Sequence, residues 1–278
     1  MKKLQTLLAI AMSGVLMNAA ISASAQPAKP GYATVIRVKG NVTYSLDGGA
    51  TKYALVPGKF LEPGATIYTG DDGVADVILG KALDLPQASW APQRVSLAPD
   101  SPVRGLVSYH SSAEQNVVRL LAGSTLVIDK LTTTSSGADT VSDTELDLKQ
   151  GSMYASVKKL SPAAQYLVKT PSGIAGVRGT QFYISLNEDG TIKDVSVYHT
   201  HHDEGLVLAV TGAAGTTDTY LIKDGQVWRP GMAAPIPITP EVHTLLQTAF
   251  SALATSFYQE ATFDRDRTQF LESSDFGL

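Results

Sequence analysis

Leu-Val-Lys-Thr-Pro-Ser-Gly-Ile-Ala-Gly-Val-Arg-Gly-Thr-Gln-Phe-Tyr-Ile-Ser, residues 167–185, is the stretch whose reading decides the fold. Two apolar runs, Tyr166–Lys169 and Gln181–Leu186, flank a segment broken by Pro171, Gly173, Gly176 and Gly179. Arg178 is the only charge between Pro171 and Leu186. Glycine opens backbone angles closed to other residues, and proline fixes φ. The pattern predicts two strands joined by a tight link specified by its backbone.

Outward from this stretch the chain reads as short strands and turns. Ala33–Lys39 and Val42–Leu46 are separated by Gly40-Asn41, and Asp47-Gly48-Gly49 follows. Such breaks between β-prone runs are hairpin signals. Ile67–Leu79 reads strand, acidic turn, strand. Gly80–Pro102, with four prolines and Trp90, reads as an irregular excursion. Val103–Tyr109, Asn116–Leu121, Ser124–Asp129, Glu145–Leu148 and Ser152–Val157 resume β character. Leu131–Thr144 is rich in Thr, Ser, Asp and Gly and is expected to be an exposed loop. Asp194–Tyr198, Leu206–Val210, Thr219–Ile222 and Gln226–Trp228 complete the series. Strands at this spacing without intervening helices imply an all-β sandwich or a β-solenoid-like stack.

The C-terminal region changes period. Val242, Leu245, Leu246, Ala249, Phe250, Leu253, Ala254, Phe257, Tyr258 and Ala261 recur at steps of three and four. That is a helical stripe. Thr239 before Pro240 fits an N-cap with proline at the first helical position. A helix from Pro240 to about residue 261 is expected. It either packs back on the β-domain or binds a partner, and packing back is preferred because apolar stripes usually bury within their own chain.

Lys2, Lys3, the apolar Leu7–Ile21 and the small residues Ala23-Ser24-Ala25 form an export signal, with cleavage expected after Ala25. The chain has no Cys. That excludes disulfides, thiol catalysis, Cys-ligated metals and a lipid-anchored cysteine. The formal net charge of −4 gives no electrostatic footprint for nucleic acid. The expected organisation is signal peptide 1–25, linker 26–31, β-domain 32–230 with an exposed loop at 131–144, proline-rich linker 231–239, and helix with tail 240–272. The mature chain is expected to be periplasmic or secreted and not to span the membrane.

The order T-P-x-x-x-x-x-V-R-G-T-x-F, carried by Thr170, Pro171, Gly176, Val177, Arg178, Gly179, Thr180 and Phe182, resembles the signature of the FecR domain of bacterial envelopes. Further segments resemble the same family: A-x-V-x-x-V-x-G-x-V near the start, I-Y-T-G-D-D-G-V-A-D-V-I-L at 67–79, V-V-R-L-L-A-G-S at 117–124, and Y-L-I-K-D-G-Q-V-W at 220–228. The resemblance spans roughly Tyr32–Pro230 and is strongest over Leu146–Ser185. It implies a FecR-like β-domain without catalytic activity, whose role is protein interaction, sensing or scaffolding with an unidentified envelope protein. The best-known members sense an outer-membrane receptor and control a sigma factor. This chain departs from their layout, with no cytoplasmic helical segment expected, so direct sigma-factor control is not among the expectations.

Two residue sets carry possible chemistry. Arg178 suits a carboxylate or anion contact through its guanidinium fork, or a structural role tying carbonyls of its own turn; the structural role is preferred. Tyr198-His199-Thr200-His201-His202-Asp203-Glu204 is the one cluster with metal-ligand chemistry. On a strand, His199, His201 and Asp203 share a face, and imidazole with carboxylate suits Zn²⁺, Cu²⁺ or Ni²⁺. The competing reading is a solvated hairpin tip between Val195–Val197 and Leu206–Val210. Asp71-Asp72 lacks calcium-loop spacing and reads as a turn. No G-x-S-x-G, H-E-x-x-H or P-loop is present. No cofactor is expected. A periplasmic metal-binding protein using His199, His201, His202 and Asp203 is one alternative function. A carbohydrate- or peptidoglycan-binding module using exposed Tyr and Trp is the other.

Overall fold

The computed structural model describes residues 28–80, 106–110, 116–136, 139–201, 205–212, 215–254 and 260–264. The export signal, residues 81–102 of the expected excursion, Trp90, His202 and Asp203 lie outside the described residues.

The elements in chain order are β1 (Lys29–Pro30), β2 (Tyr32–Lys39), β3 (Val42–Ser45), β4 (Tyr53–Ala54), β5 (Phe60–Leu61), β6 (Thr66–Thr69) and β7 (Val74–Gly80). Then come β8 (Leu106–His110), β9 (Asn116–Leu120), β10 (Thr125–Ser136), β11 (Asp139–Gln150), β12 (Ser152–Ser156), β13 (Gln165–Thr170), β14 (Gly173–Val177) and β15 (Thr180–Leu186). β16 (Ile192–Thr200), β17 (Leu206–Thr211), β18 (Thr217–Ile222), β19 (Gln226–Trp228), β20 (Ile236–Pro237), α1 (Pro240–Ala254) and β21 (Glu260–Asp264) complete them.

Two large sheets are built from these strands. Sheet A has the order β18-β17-β14-β13-β11-β10-β6-β3-β4, with β1 on β10; sheet B has the order β20-β19-β16-β15-β12-β9-β7-β2-β5. Apart from the two-residue ends, each sheet is laid down in chain order from one end to the other. The chain hops between sheets every one or two strands, so neighbours in sequence stay neighbours in space. That is the growth pattern of a solenoid, expressed in a two-sheet stack. Among the described residues one pair, β11 with β13, is parallel, because the chain visits sheet B as β12 between them.

Alternation along each strand sends one set of side chains between the sheets. Val77, Val118 and Phe182 of sheet B meet Ile67, Leu146 and Val168 of sheet A in one continuous core. Each fully buried aliphatic side chain there contributes about 1.5–3 kcal/mol.

α1 covers the outer face of sheet B. Leu246, Phe250 and Leu253 are buried against Ile36, Ile78 and Val117. Phe250 stacks on Tyr198 with ring centroids 5.4 Å apart and meets Tyr154 edge-on at 5.6 Å. The helix therefore packs on its own domain. Thr239 caps it, its Oγ1 accepting the Val242 N–H at 3.4 Å.

Four expectations are corrected. The segment 131–144 is not a loop: Leu131–Ser136 and Asp139–Thr144 are the outer halves of the β10–β11 hairpin, with Leu131 opposite Thr144 and Thr132 opposite Asp143. Threonine is β-branched and favours a pleated, half-buried surface, so a Thr-rich run reads as strand once it has a partner. The helix ends at Ala254 in the described residues, and Ala261 belongs to β21, paired with β8. The link between the two apolar runs at 166–186 is itself a strand, β14. Finally, β16 and β17 are not a hairpin. They lie in different sheets, so the His-rich connection crosses from one layer to the other.

Candidate functional site

The sequence signature folds into three successive strands, β13, β14 and β15, that bind the two sheets together. Thr170 closes the first turn, its Oγ1 donating to Gly173 O at 3.0 Å. Pro171 and Ser172 form that turn. Ser172 Oγ accepts the Ile192 N–H at 3.0 Å, and Ser172 O accepts the Thr211 N–H at 3.0 Å. One turn is thereby bonded to strands of both sheets.

The second turn, at Arg178-Gly179, carries the chain from sheet A to sheet B. Gly179 sits at φ +66°, and a Cβ there would lie 3.4 Å from both His201 Cβ and Lys159 Cα. Its carbonyl accepts the His201 N–H at 2.7 Å. Thr180 is fully buried, its Oγ1 donating to Arg178 O at 3.3 Å, and its carbonyl accepts the Val157 N–H at 3.0 Å. Val177 and Phe182 are core residues of opposite sheets. Thr170, Pro171, Val177, Gly179, Thr180 and Phe182 are thus brought together as a joint between the layers.

Gly176 and Arg178 are placed differently. Gly176 stands opposite Leu167 on one side and Val207 on the other. It lacks a side chain on the outer face of sheet A, and a Cβ there would meet nothing closer than 3.8 Å. The result is a shallow groove of about 240 Å³ lined by Leu167, Gly176, Arg178 and Val207 among others. Arg178 is half-buried at its end. Beside the groove, Ile174, Val207 and Leu221 keep 45%, 44% and 43% of their surface exposed. Exposed apolar side chains gathered on neighbouring strands suit contact with another molecule.

The histidines are only partly assembled. His199 and His201 share a face, as their spacing predicts, with ring centroids 5.3 Å apart. His199 Nδ1 is 3.4 Å from Asp224 Oδ1, and these side chains are 52% and 59% exposed. Among the described residues no group of three ligand-type side chains is placed to hold a metal. Asp224 lies in the β18–β19 turn, and nothing in its sequence neighbourhood ties it to His199. Trp228 is buried against Tyr220 at 4.8 Å, which removes it from any sugar-stacking surface.

A further polar centre escaped the sequence reading. Asp76 on β7 is completely buried and receives Arg119 Nε and Nη2 of β9 at 2.7 Å each. Arg119 Nη2 also donates to Ala252 O at 3.3 Å, so it caps the C-terminal end of α1. A single charge inside each of two apolar runs, Val74–Leu79 and Val117–Leu121, was the available signal. Elsewhere burial holds the Asp194 carboxyl above its ordinary range, opposed chiefly by Arg229. Lys169 bonds Glu145 at 2.6 Å and Asp129 at 3.2 Å, and these partners raise its ammonium above its usual value.

Residues 107–201 match the FecR protein family, covering the signature and the strands on either side of it. A solved chain similar to part of this one is a provisionally assigned anti-sigma factor from Parabacteroides distasonis ATCC 8503, at 12% identity and a TM-score of 0.29. The alignment covers 48% of this chain and 55% of that one, so the match spans about half of either chain. No curated protein matches. No helix among the described residues is long and apolar enough to cross a membrane.

Proposed function

We propose that this chain, which carries a FecR domain over residues 107–201, is an exported protein-binding module of the bacterial cell envelope that senses or scaffolds without catalysing a reaction. The family match carries the reading, because it covers the strands that join the two sheets. The outer face of sheet A supports it: Ile174, Val207 and Leu221 are exposed apolar side chains on three neighbouring strands beside the Gly176 groove. The reading includes removal of residues 1–25 on export. It also gives Thr170, Pro171, Val177, Gly179, Thr180 and Phe182 a structural role, and Gly176 and Arg178 a place at the contact surface.

The test is affinity capture of the mature chain from envelope extract after cross-linking, with mass spectrometry. The same envelope protein should be recovered across replicates, and Val207→Asp should reduce its yield. Failure to recover any reproducible partner overturns the reading.

A second reading, a surface transition-metal site using His199, His201, His202 and Asp203, draws on the sequence pattern and on the adjacent rings of His199 and His201, although no three ligand-type side chains among the described residues are placed to hold a metal. Calorimetric titration with Zn²⁺ decides it. Saturable binding lost in His199→Ala supports the site, and no saturable heat removes it.

A further inference from the structure

The two large sheets have four end strands. Three are two residues long: β4 and β5 at one end, β20 at the other. Short edges, and a proline such as Pro237 in one of them, are how β-proteins prevent strands of other molecules from pairing with them. The fourth end strand, β18, has six residues and no such protection.

The register shows which backbone groups β18 offers. β17 and β18 pair from Leu206 opposite Ile222 to Thr211 opposite Thr217. Just beyond, the Gly212 N–H donates to Thr216 O at 2.8 Å. Bonded and non-bonded pairs alternate along an antiparallel ladder. Counting back from that bond, Asp218, Tyr220 and Ile222 turn their N–H and C=O groups toward β17. Thr217, Thr219 and Leu221 turn theirs to the open side. The same alternation turns the Thr211 N–H away from β18, and it donates to Ser172 O across the sheet. No strand among the described residues pairs with the open side of β18.

Side chains sharpen the picture. Leu221 stands beside Val207, which stands beside Gly176 and then Leu167. This uncharged row runs from the groove to the open edge. Asp218 near the start of β18 and Lys223 just past its end are exposed, and neither forms an ion pair among the described residues.

We infer that the open edge of β18 docks an extended segment of another protein, added antiparallel as the next strand of sheet A. This rests on the protein-binding reading above and names the kind of partner. Main-chain bonds to Thr217, Thr219 and Leu221 hold the segment. Charge complementarity fixes its polarity: an acidic residue at its N-terminal end meets Lys223, and a basic residue at its C-terminal end meets Asp218. Apolar side chains at alternate positions lengthen the row begun by Leu221 and Val207.

The probe is the peptide acetyl-Glu-Thr-Val-Thr-Val-Lys-amide, titrated into the ¹⁵N-labelled mature chain. Saturable shifts centred on the Thr217, Thr219 and Leu221 amides are expected. A peptide with its Glu and Lys exchanged should bind more weakly. Thr219→Pro removes one outward N–H and leaves every β17–β18 bond intact, so it should weaken the peptide about tenfold or more while the melting temperature holds. Leu221→Asp, at an exposed position, gives the same loss without touching the backbone. No saturable shift, or unaltered binding by both variants, overturns the inference. Concentration-dependent dimerisation abolished by Thr219→Pro also overturns it, by assigning the edge to a second copy of this chain. An envelope partner captured equally by parent and both variants refutes the edge while leaving the protein-binding reading intact. Capture of no partner by the parent refutes that reading, and the peptide titration still decides the edge.

Discussion

Arg119→Met isolates the buried charge beneath α1. Asp76 has no exposed surface, and the Arg119 side chain is 9% exposed. The two bonds between them, at 2.7 Å each, are a bidentate fork. Replacing Arg119 leaves a buried carboxylate without its main partner, and breaking such a pair costs about 3–5 kcal/mol. Arg37 Nε lies 4.0 Å from Asp76 and its side chain is 39% exposed, so it can swing in and recover part of the loss. The expected cost is therefore about 3 kcal/mol, the low end of that range. For a domain of this size, each kcal/mol lowers the melting temperature by about 2–4 °C, so a fall of about 6–12 °C is expected. Urea unfolding followed by circular dichroism measures the free energy directly. Amide exchange in α1 should quicken as well, because the Arg119 bond to Ala252 O near the end of the helix is lost. The double variant Asp76→Leu/Arg119→Met removes both charges into an apolar setting beside Ile78 and Val117, and should recover most of the loss. A single variant costing under about 1 kcal/mol, or a double variant no better than the single, refutes the view that the stranded charge sets the cost.

Glycine substitutions in the signature should separate by geometry. Gly173→Ala places a Cβ 2.5 Å from Ala209 O and should lower stability strongly, whereas Gly176→Ala, with 3.8 Å of clearance, should be nearly neutral to thermal melting. Gly179→Val forces a β-branched residue to φ +66° and should cost about 2 kcal/mol or more. For Asp194, the native carboxyl titrates above its ordinary value of 3.8, so the folded state keeps a proton the unfolded chain has lost. Stability then falls as pH rises between that value and the raised native one, and Asp194→Asn should melt higher than the parent at pH 7 and abolish this part of the fall. Asp47 has the opposite sign: the Ser45 hydroxyl holds it down to about 2, and its contribution is present above 3.8 and lost as pH falls toward 2.

The strand list was legible because side-chain alternation and Gly/Pro punctuation are local signals. Tyr166–Lys169, Gln181–Leu186 and Leu206–Val210 all became strands close to their expected bounds. Local signals failed where a distant partner decided the outcome. Thr132, Thr133 and Thr134 read as loop by composition, yet pair with Asp143, Ser142 and Val141 across the hairpin. Ile174–Val177 read as part of a link, yet β13 on one side and β17 on the other make it a strand. The helical stripe was read as reaching Ala261, which lies in a strand instead, because apolar spacing does not register the pairing of Glu260–Asp264 with Leu106–His110. His199 and His201 were placed on one face by spacing alone, whereas Asp224 reached His199 only through the fold.

By itself the sequence determined the all-β class, the N-cap at Thr239, the apolar face of α1 and the stretch from Thr170 to Phe182 that resembles the FecR signature. Each of these is written in residues a few positions apart, where backbone preference and side-chain period act directly. Only the tertiary structure decided that this signature joins two sheets and that α1 lies over Arg119 and Asp76. It alone left β18, among the described residues, as the one end strand of the two large sheets longer than two residues. Those outcomes depend on contacts between segments tens of residues apart, which are fixed by burial and by pairing of backbone groups. No local pattern encodes them.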